Sequence, residues 1–442
     1  MSSVLPPRLE LLCASGVAVR RCTALAALFT RLKSEVAMRI ADFLFANFLP
    51  QQRATIAFQA GIADHLGAFI RQIWPNGRVL IVAQQRYREY CERKLIAELR
   101  AQGVDAPYCL CLEQPGVTPL QQIQESLSDG VLEKLSAIFS LGDNILFKYV
   151  REQSSIVGIP CGALLDEFAD PHAFDAIAEN IPFASAIFFD IDAIAERLKG
   201  RTDDAICALE TELYSLKADM LAINSFNKPV NKILLDAVEQ SAPDRSLAKF
   251  APDEDSLAQL AESYSWFAIS CRIFHETQET SFETVVDYVR SAADMPTFTH
   301  TQHARLLAQV FDAALEIESL EIDPDACASR QPPKEILTRT LQQTLLEDGV
   351  NFAWLKRAEA NFSDRIAMRN ELNSVLLNWD EFCAHLRAIA DVMRAIAADD
   401  PAADDLDPAL KNAWIHAARF APKHGYLKLF ADMGIVESSL YL

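Results

Sequence analysis

Ser140-Leu141-Gly142-Asp143-Asn144, with Lys148 one helical turn further on, brings together the residue types of a phosphate-holding turn. The segment links the apolar run "LSAIFSL" to a stretch with helical spacing. A glycine at such a junction lets the backbone come close to an anion, while the helix N-terminus aims N–H groups at it. Lys148 would add a cation. Gly142, Asp143, Asn144 and Lys148 are therefore candidate cofactor contacts. Loops of this kind usually carry two or three glycines; here Leu141 adds bulk and Asp143 a negative charge. The same residues also read as a structural strand–helix turn with Asp143 or Asn144 as N-cap.

Two further groups could do chemistry. In "HTQHARLL", the spacing of His300 and His303 could set both on one helix face. The ten cysteines contain no CxxC, and several lie inside apolar runs such as "PYCLCLE". That pattern suits buried, reduced thiols of a cytoplasmic protein rather than a disulfide framework or a zinc ribbon.

The elements that must position these residues fall into two halves. From residue 51 to 195 short apolar runs alternate with helical segments: "ATIAF" (54–58), "RVLIVA" (78–83), "PYCLCLE" (107–113), "LSAIFSL" (135–141), "IVGIPCGALL" (156–165) and "SAIFFDID" (185–192) read as strands. Asp166 to His172 reads as a loop. Near-continuous apolar strands between helices predict a parallel, Rossmann-like sheet covered on both faces. From 196 to 442 apolar residues recur at helical spacing, as in "DSLAQLAESYSWFAISCRIF", and predict an all-helical domain. An α/β domain followed by a helical one predicts a ligand cleft between them, at the C-terminal ends of the strands. Residues 1–50 read as an N-terminal helical extension. Arg20 and Arg21 interrupt their apolar run, which argues against a membrane span.

The chain has 442 residues, enough for two or three domains. Its net charge of −20 argues against nucleic-acid binding and against adsorption to anionic membrane.

The ordered landmarks resemble the glycerol-1-phosphate dehydrogenase family, within the group that holds dehydroquinate synthases and iron-containing alcohol dehydrogenases. "RVLIVAQQRYREYCERKLIAELRAQGV" is similar to that family's first nucleotide strand and helix, and "LSAIFSLGDNILFKYV" stands where it has a glycine-rich pyrophosphate loop. "GIPCGALL", "ASAIFFDIDAIAE", "GRTDDAICAL" and the tail "LKNAWIHAARFAPKHGYLKLFADMGI" follow in family order. The resemblance implies a dehydroquinate synthase-like fold and an NAD- or NADP-dependent oxidoreductase acting on a polyol phosphate or related alcohol. It implies a Zn²⁺ or Fe²⁺ ion held by a carboxylate and two histidines, acting as Lewis acid. Carried over, the metal ligands would be Asp170 and His300, with His275, His303 or His172 in place of the histidine that becomes Thr284 here. Lys148 and Asp204 would serve catalysis, with Ala208 where the family has a lysine; Lys423 or His424 would face an anionic substrate. Three readings follow: such an oxidoreductase, a diverged homologue running a synthase-like or metal-free reaction, and a non-catalytic binding protein. A small-molecule partner is expected in each, and assembly through the helical half would be unsurprising.

Overall fold

The computed structural model describes residues 55–75, 77–111, 118–126, 135–167, 185–199, 202–228, 230, 238, 254–275, 281–292, 299–350, 352–398 and 406–441. The N-terminal extension expected over 1–50 and the expected ligand Asp170 lie outside them.

Six strands form one sheet: β1 (Thr55–Gln59), β2 (Val79–Gln84), β3 (Tyr108–Cys111), β4 (Ala137–Asp143), β5 (Cys161–Glu167) and β6 (Ala186–Asp190). All pair in parallel, in the order β1-β6-β5-β4-β2-β3. Apart from the edge strand β1, this is the doubly wound order 2-1-3-4-5. The chain leaves β2 toward one side for β3 and returns to the other side for β4, so the topological switch point lies between β2 and β4.

Both sheet faces are apolar, as the uninterrupted strand runs require. Val79, Ile81, Ala83, Phe139, Leu141, Leu164 and Phe188 pack beneath Leu66 and Ile70 of α1 (Leu66–Ile73) and Leu95 and Leu99 of the helical stretch 88–101. That stretch, α2, takes a π turn at Cys91–Leu95 and ends before Gly103, whose φ is +83°. After α3 (Pro119–Ser126), α4 (Asn144–Val157) packs on β4 and β5, and α5 (Ile191–Leu198) on β5.

Three boundaries differ from the sequence reading. Ile191 and Asp192, read as the end of a strand, open α5. The apolar "IVG" at 156–158 ends α4 instead of opening β5. Gly158 (φ +71°) turns back to bond the carbonyls of Ser154 and Ser155, and Pro160 bars further helix. Asp166 is not in a loop: it lies within β5 and is 3% exposed.

Among the described residues no strand follows Asp190. Twelve helices do, after α5: α6 (Thr202–Ser225), α7 (Glu254–His275), α8 (Ser281–Ser291), α9 (His300–Glu316), α10 (Pro324–Arg330), α11 (Lys334–Glu347), α12 (Ala353–Ala360), α13 (Arg365–Leu376), α14 (Trp379–Ala398), α15 (Pro408–Phe420), α16 (Tyr426–Asp432) and α17 (Ile435–Tyr441). The expected class, an α/β sheet domain followed by a helical one, is what the chain forms. The described residues within 1–202 and 246–269 make one compact unit, and those within 203–245 and 270–442 the other. The second unit closes around Phe311, Trp379, Trp414, Phe420, Tyr426 and Phe430.

Candidate functional site

The C-terminal ends of neighbouring strands β2, β4, β5 and β6 carry Gln84, Asp143, Asp166 and Asp190 in turn. At the switch point Gln84 and Asp143 are joined. The Gln84 amide donates to Asp143 Oδ2 at 2.5 Å, and the Asp143 N–H donates to Gln84 Oε1 at 3.1 Å. Asp143 Oδ1 accepts the N–H of Leu146 at 2.8 Å, so the carboxylate is the N-cap of α4. Strand passes into helix with no intervening loop: Gly142 and Asp143 end β4 across a register shift, and Asn144 begins α4. Gly142 has φ +151°, and a Cβ there would come within 2.7 Å of Gln84 Cδ. The glycine makes room for the protein's own glutamine.

Beside this pair, Arg86 forks onto Asp166 with contacts of 2.7 and 2.5 Å. Tyr87 also bonds Asp166; burial, and then the Asp166 charge, push its phenol well above the usual range. Asp190 caps α5 by accepting the Ala193 N–H at 3.3 Å. Burial first, with the Asp192 and Asp166 charges adding to it, raises the Asp190 carboxyl to about 6. The strand ends thus present three aspartates against one arginine that is already paired.

A dinucleotide pyrophosphate needs open N–H groups and a glycine-lined approach at this place. Neither is offered. Leu146 N–H is taken by Asp143, and Gln84 lies over Gly142. A phosphate about 4 Å from the Asp143 carboxylate would be repelled by about 4 kcal/mol at an effective dielectric of 20. A helix N-terminus returns about 0.3–2 kcal/mol. Repulsion wins, and these residues do not fit the group.

The remaining candidates are distributed as follows. Lys148 lies on α4, half-buried; Asn144 is the first residue of that helix. Asp204 lies in the first turn of α6, and His275 ends α7. His300 opens α9 behind the Thr299–Gln302 capping box and is half-buried. His303 shares that helix, as its spacing suggested, but it is 1% exposed and packs edge-on against Trp414 at 6.0 Å. Thr284 is buried in α8. Lys423 is paired with Glu371 at 2.9 Å. The His424 ring receives Lys228 Nζ at 2.7 Å and meets Phe226 edge-on at 5.1 Å. Burial, then the Lys228 charge, lowers its pKa to about 4. Both side chains expected to face an anionic substrate are thus engaged within the protein. Among the described residues, no three His, Cys, Asp or Glu side chains come together in a group that could hold a metal ion. Gln84, Arg86, Tyr87 and Asp190 escaped the sequence reading. The one signal for them is a polar residue directly after an apolar strand run, in "VLIVAQQRY" and "AIFFDID".

No family model and no curated protein sequence matches the chain. Solved structures with a similar course include a probable glycerol dehydrogenase from Sinorhizobium meliloti 1021, at 9% identity over 80% of this chain and 98% of that one, with a TM-score of 0.43. A sulfoacetaldehyde reductase from Bifidobacterium kashiwanohense in complex with NAD+ is 11% identical over 79% and 98%, with a TM-score of 0.42. The NADH-dependent butanol dehydrogenase A of Thermotoga maritima is 11% identical over 88% and 98%, with a TM-score of 0.44. These are proteins the chain is similar to in outline, and its own residues must carry any reading of its site.

Proposed function

We propose that the chain is a diverged homologue of the glycerol-1-phosphate and alcohol dehydrogenase group that keeps the dehydroquinate synthase-like scaffold and no longer takes NAD or NADP at the sheet's switch point. The observation that carries this is the Gln84–Asp143 pair, which sits at the switch point and takes up the Leu146 N–H in the first turn of α4. The protein then acts on a small molecule by cofactor-free chemistry or binds it without turnover. The ordered sequence landmarks support descent from that group.

The oxidoreductase reading is the second. Lys148 on α4 favours it, standing where the resembling family has its lysine. One experiment separates the two. Purified full-length protein is titrated with NADH and NADPH, with and without Zn²⁺ or Fe²⁺, and followed by nicotinamide fluorescence and thermal shift. The proposal expects no saturable signal up to millimolar cofactor and no oxidation at 340 nm with carbonyl substrates. Micromolar saturation with turnover would replace it by the oxidoreductase.

A further inference from the structure

Cys109 and Cys111 take no part in the strand-end arrangement, and they are the only described thiols placed two residues apart on one strand. Both belong to β3, the edge strand beyond β2, and alternation sets their side chains on the same face. They are 4% and 6% exposed. The two thiols hydrogen-bond to one another; the Cys111 thiol, and less strongly the Ser126 hydroxyl, draw the Cys109 thiol below its ordinary range. The same bond, with burial, pushes Cys111 up. α3 covers the pair: the Cys109 thiol donates to the Gln122 carbonyl at 3.8 Å, and that carbonyl also receives the Ser126 hydroxyl at 2.9 Å.

Two chemistries suit adjacent buried thiols, and distance decides between them. Residues i and i+2 of a strand have Cα atoms about 6.6 Å apart. That is the outer limit of disulfide geometry, whose usual value is about 5.5–6 Å. Two metal–sulfur bonds in line, at the about 2.3 Å of a zinc–thiolate bond, span about 4.6 Å, less than the about 6.6 Å between the Cα atoms. Soft thiolate donors select soft, low-coordinate ions, and among the described residues no His, Cys, Asp or Glu joins the two thiols in a group of three that could hold Zn²⁺ or Fe²⁺.

The geometry points to Cys109 and Cys111 as a two-thiolate site for a soft monovalent cation of the Cu(I) class, held on the face of the edge strand under α3. Binding joins the cation to both sulfurs and releases the two thiol protons. The bound site carries a single negative charge. The site is separate from the strand ends and does not depend on what binds there.

The test is an anaerobic titration of reduced, full-length protein with Cu(I) buffered by bicinchoninate, with ultraviolet thiolate-to-metal absorption as a second readout. One equivalent is expected to outcompete the buffer. Cys109→Ser and Cys111→Ser should each abolish that equivalent, lowering affinity at least 100-fold, while Cys383→Ser leaves it intact. Cys109→Ala and Cys111→Ala serve where a serine variant unfolds. Folded variants at either position that keep the wild-type equivalent, or a wild type that never competes with the buffer, would overturn the assignment.

Discussion

Asp190 and Asp143 sit at equivalent places, each closing a strand and capping the next helix, yet they respond differently to substitution. The folded Asp190 carboxyl titrates near 6 because of burial, against 3.8 for a free aspartate. Between those values the folded protein holds a proton that the unfolded chain has lost. The group's contribution to stability is therefore fullest below about pH 4 and fades as pH rises through 6, by up to about 3 kcal/mol. Asp190→Asn keeps a capping side chain and removes the ionisation. Its melting temperature should exceed wild type by a few degrees at pH 7.5 and approach it below about pH 4, read by differential scanning fluorimetry; a lower value at pH 7.5 would contradict the assignment. At Asp143 the carboxylate bonds both Leu146 N–H and the Gln84 amide. Asp143→Ala should cost about 1–2 kcal/mol, the upper range for a lost N-cap, and Gln84→Ala less. Chemical denaturation would measure both, and the account fails if Gln84→Ala proves the costlier. Asp143 as a cap was legible, because acidic residues before an apolar helical run are a local signal. Gln84 was not: its partner is 59 residues away, and only the strand order brings them together.

Helices and strands were the legible scale, because each buries a periodic face. The runs at 78–83 and 135–141 and the helical stretches from 202 onward needed only their own spacing to be found. What spacing could not show is which polar residues hold the elements to one another. Asp219 of α6 occurs in "LKADML" like any surface acid, yet it is 1% exposed. It accepts the N–H of Ser281 at 2.7 Å, the Ser281 hydroxyl at 2.6 Å and the N–H of Tyr426 at 3.2 Å. One carboxylate of α6 thus caps the starts of both α8 and α16. Gly425 permits the close approach: a Cβ there would lie 2.6 Å from Ser281 Oγ and 2.8 Å from Asp219 Oδ1. Removing the acceptor leaves buried donors unmade at about 1–3 kcal/mol apiece. Asp219→Ala should therefore lower the urea midpoint of the helical unit by the equivalent of about 3 kcal/mol or more, and Gly425→Ala by about 1–3 kcal/mol for overpacking. Wild-type midpoints in both variants would show that the node is not structural.

For the molecule as a whole, fold and site diverge in how much of them the sequence carried. A parallel sheet followed by helices is spread over many redundant apolar positions, so substitutions leave it readable. A phosphate seat depends on a few backbone N–H groups and on empty space, and one glutamine can fill it. The stretch 138–150, which resembles a phosphate-holding turn, accordingly does not identify its occupant: Gly142 accommodates Gln84. The helical unit gives the same lesson, with His303 buried against Trp414 and His424 held by Lys228. The most direct test of the closed seat is isothermal titration calorimetry of wild-type protein with ADP-ribose. That ligand offers the pyrophosphate without the nicotinamide, so it probes the seat and nothing else. The account predicts no measurable binding up to millimolar ligand; dissociation constants in the micromolar range for the wild type would contradict it.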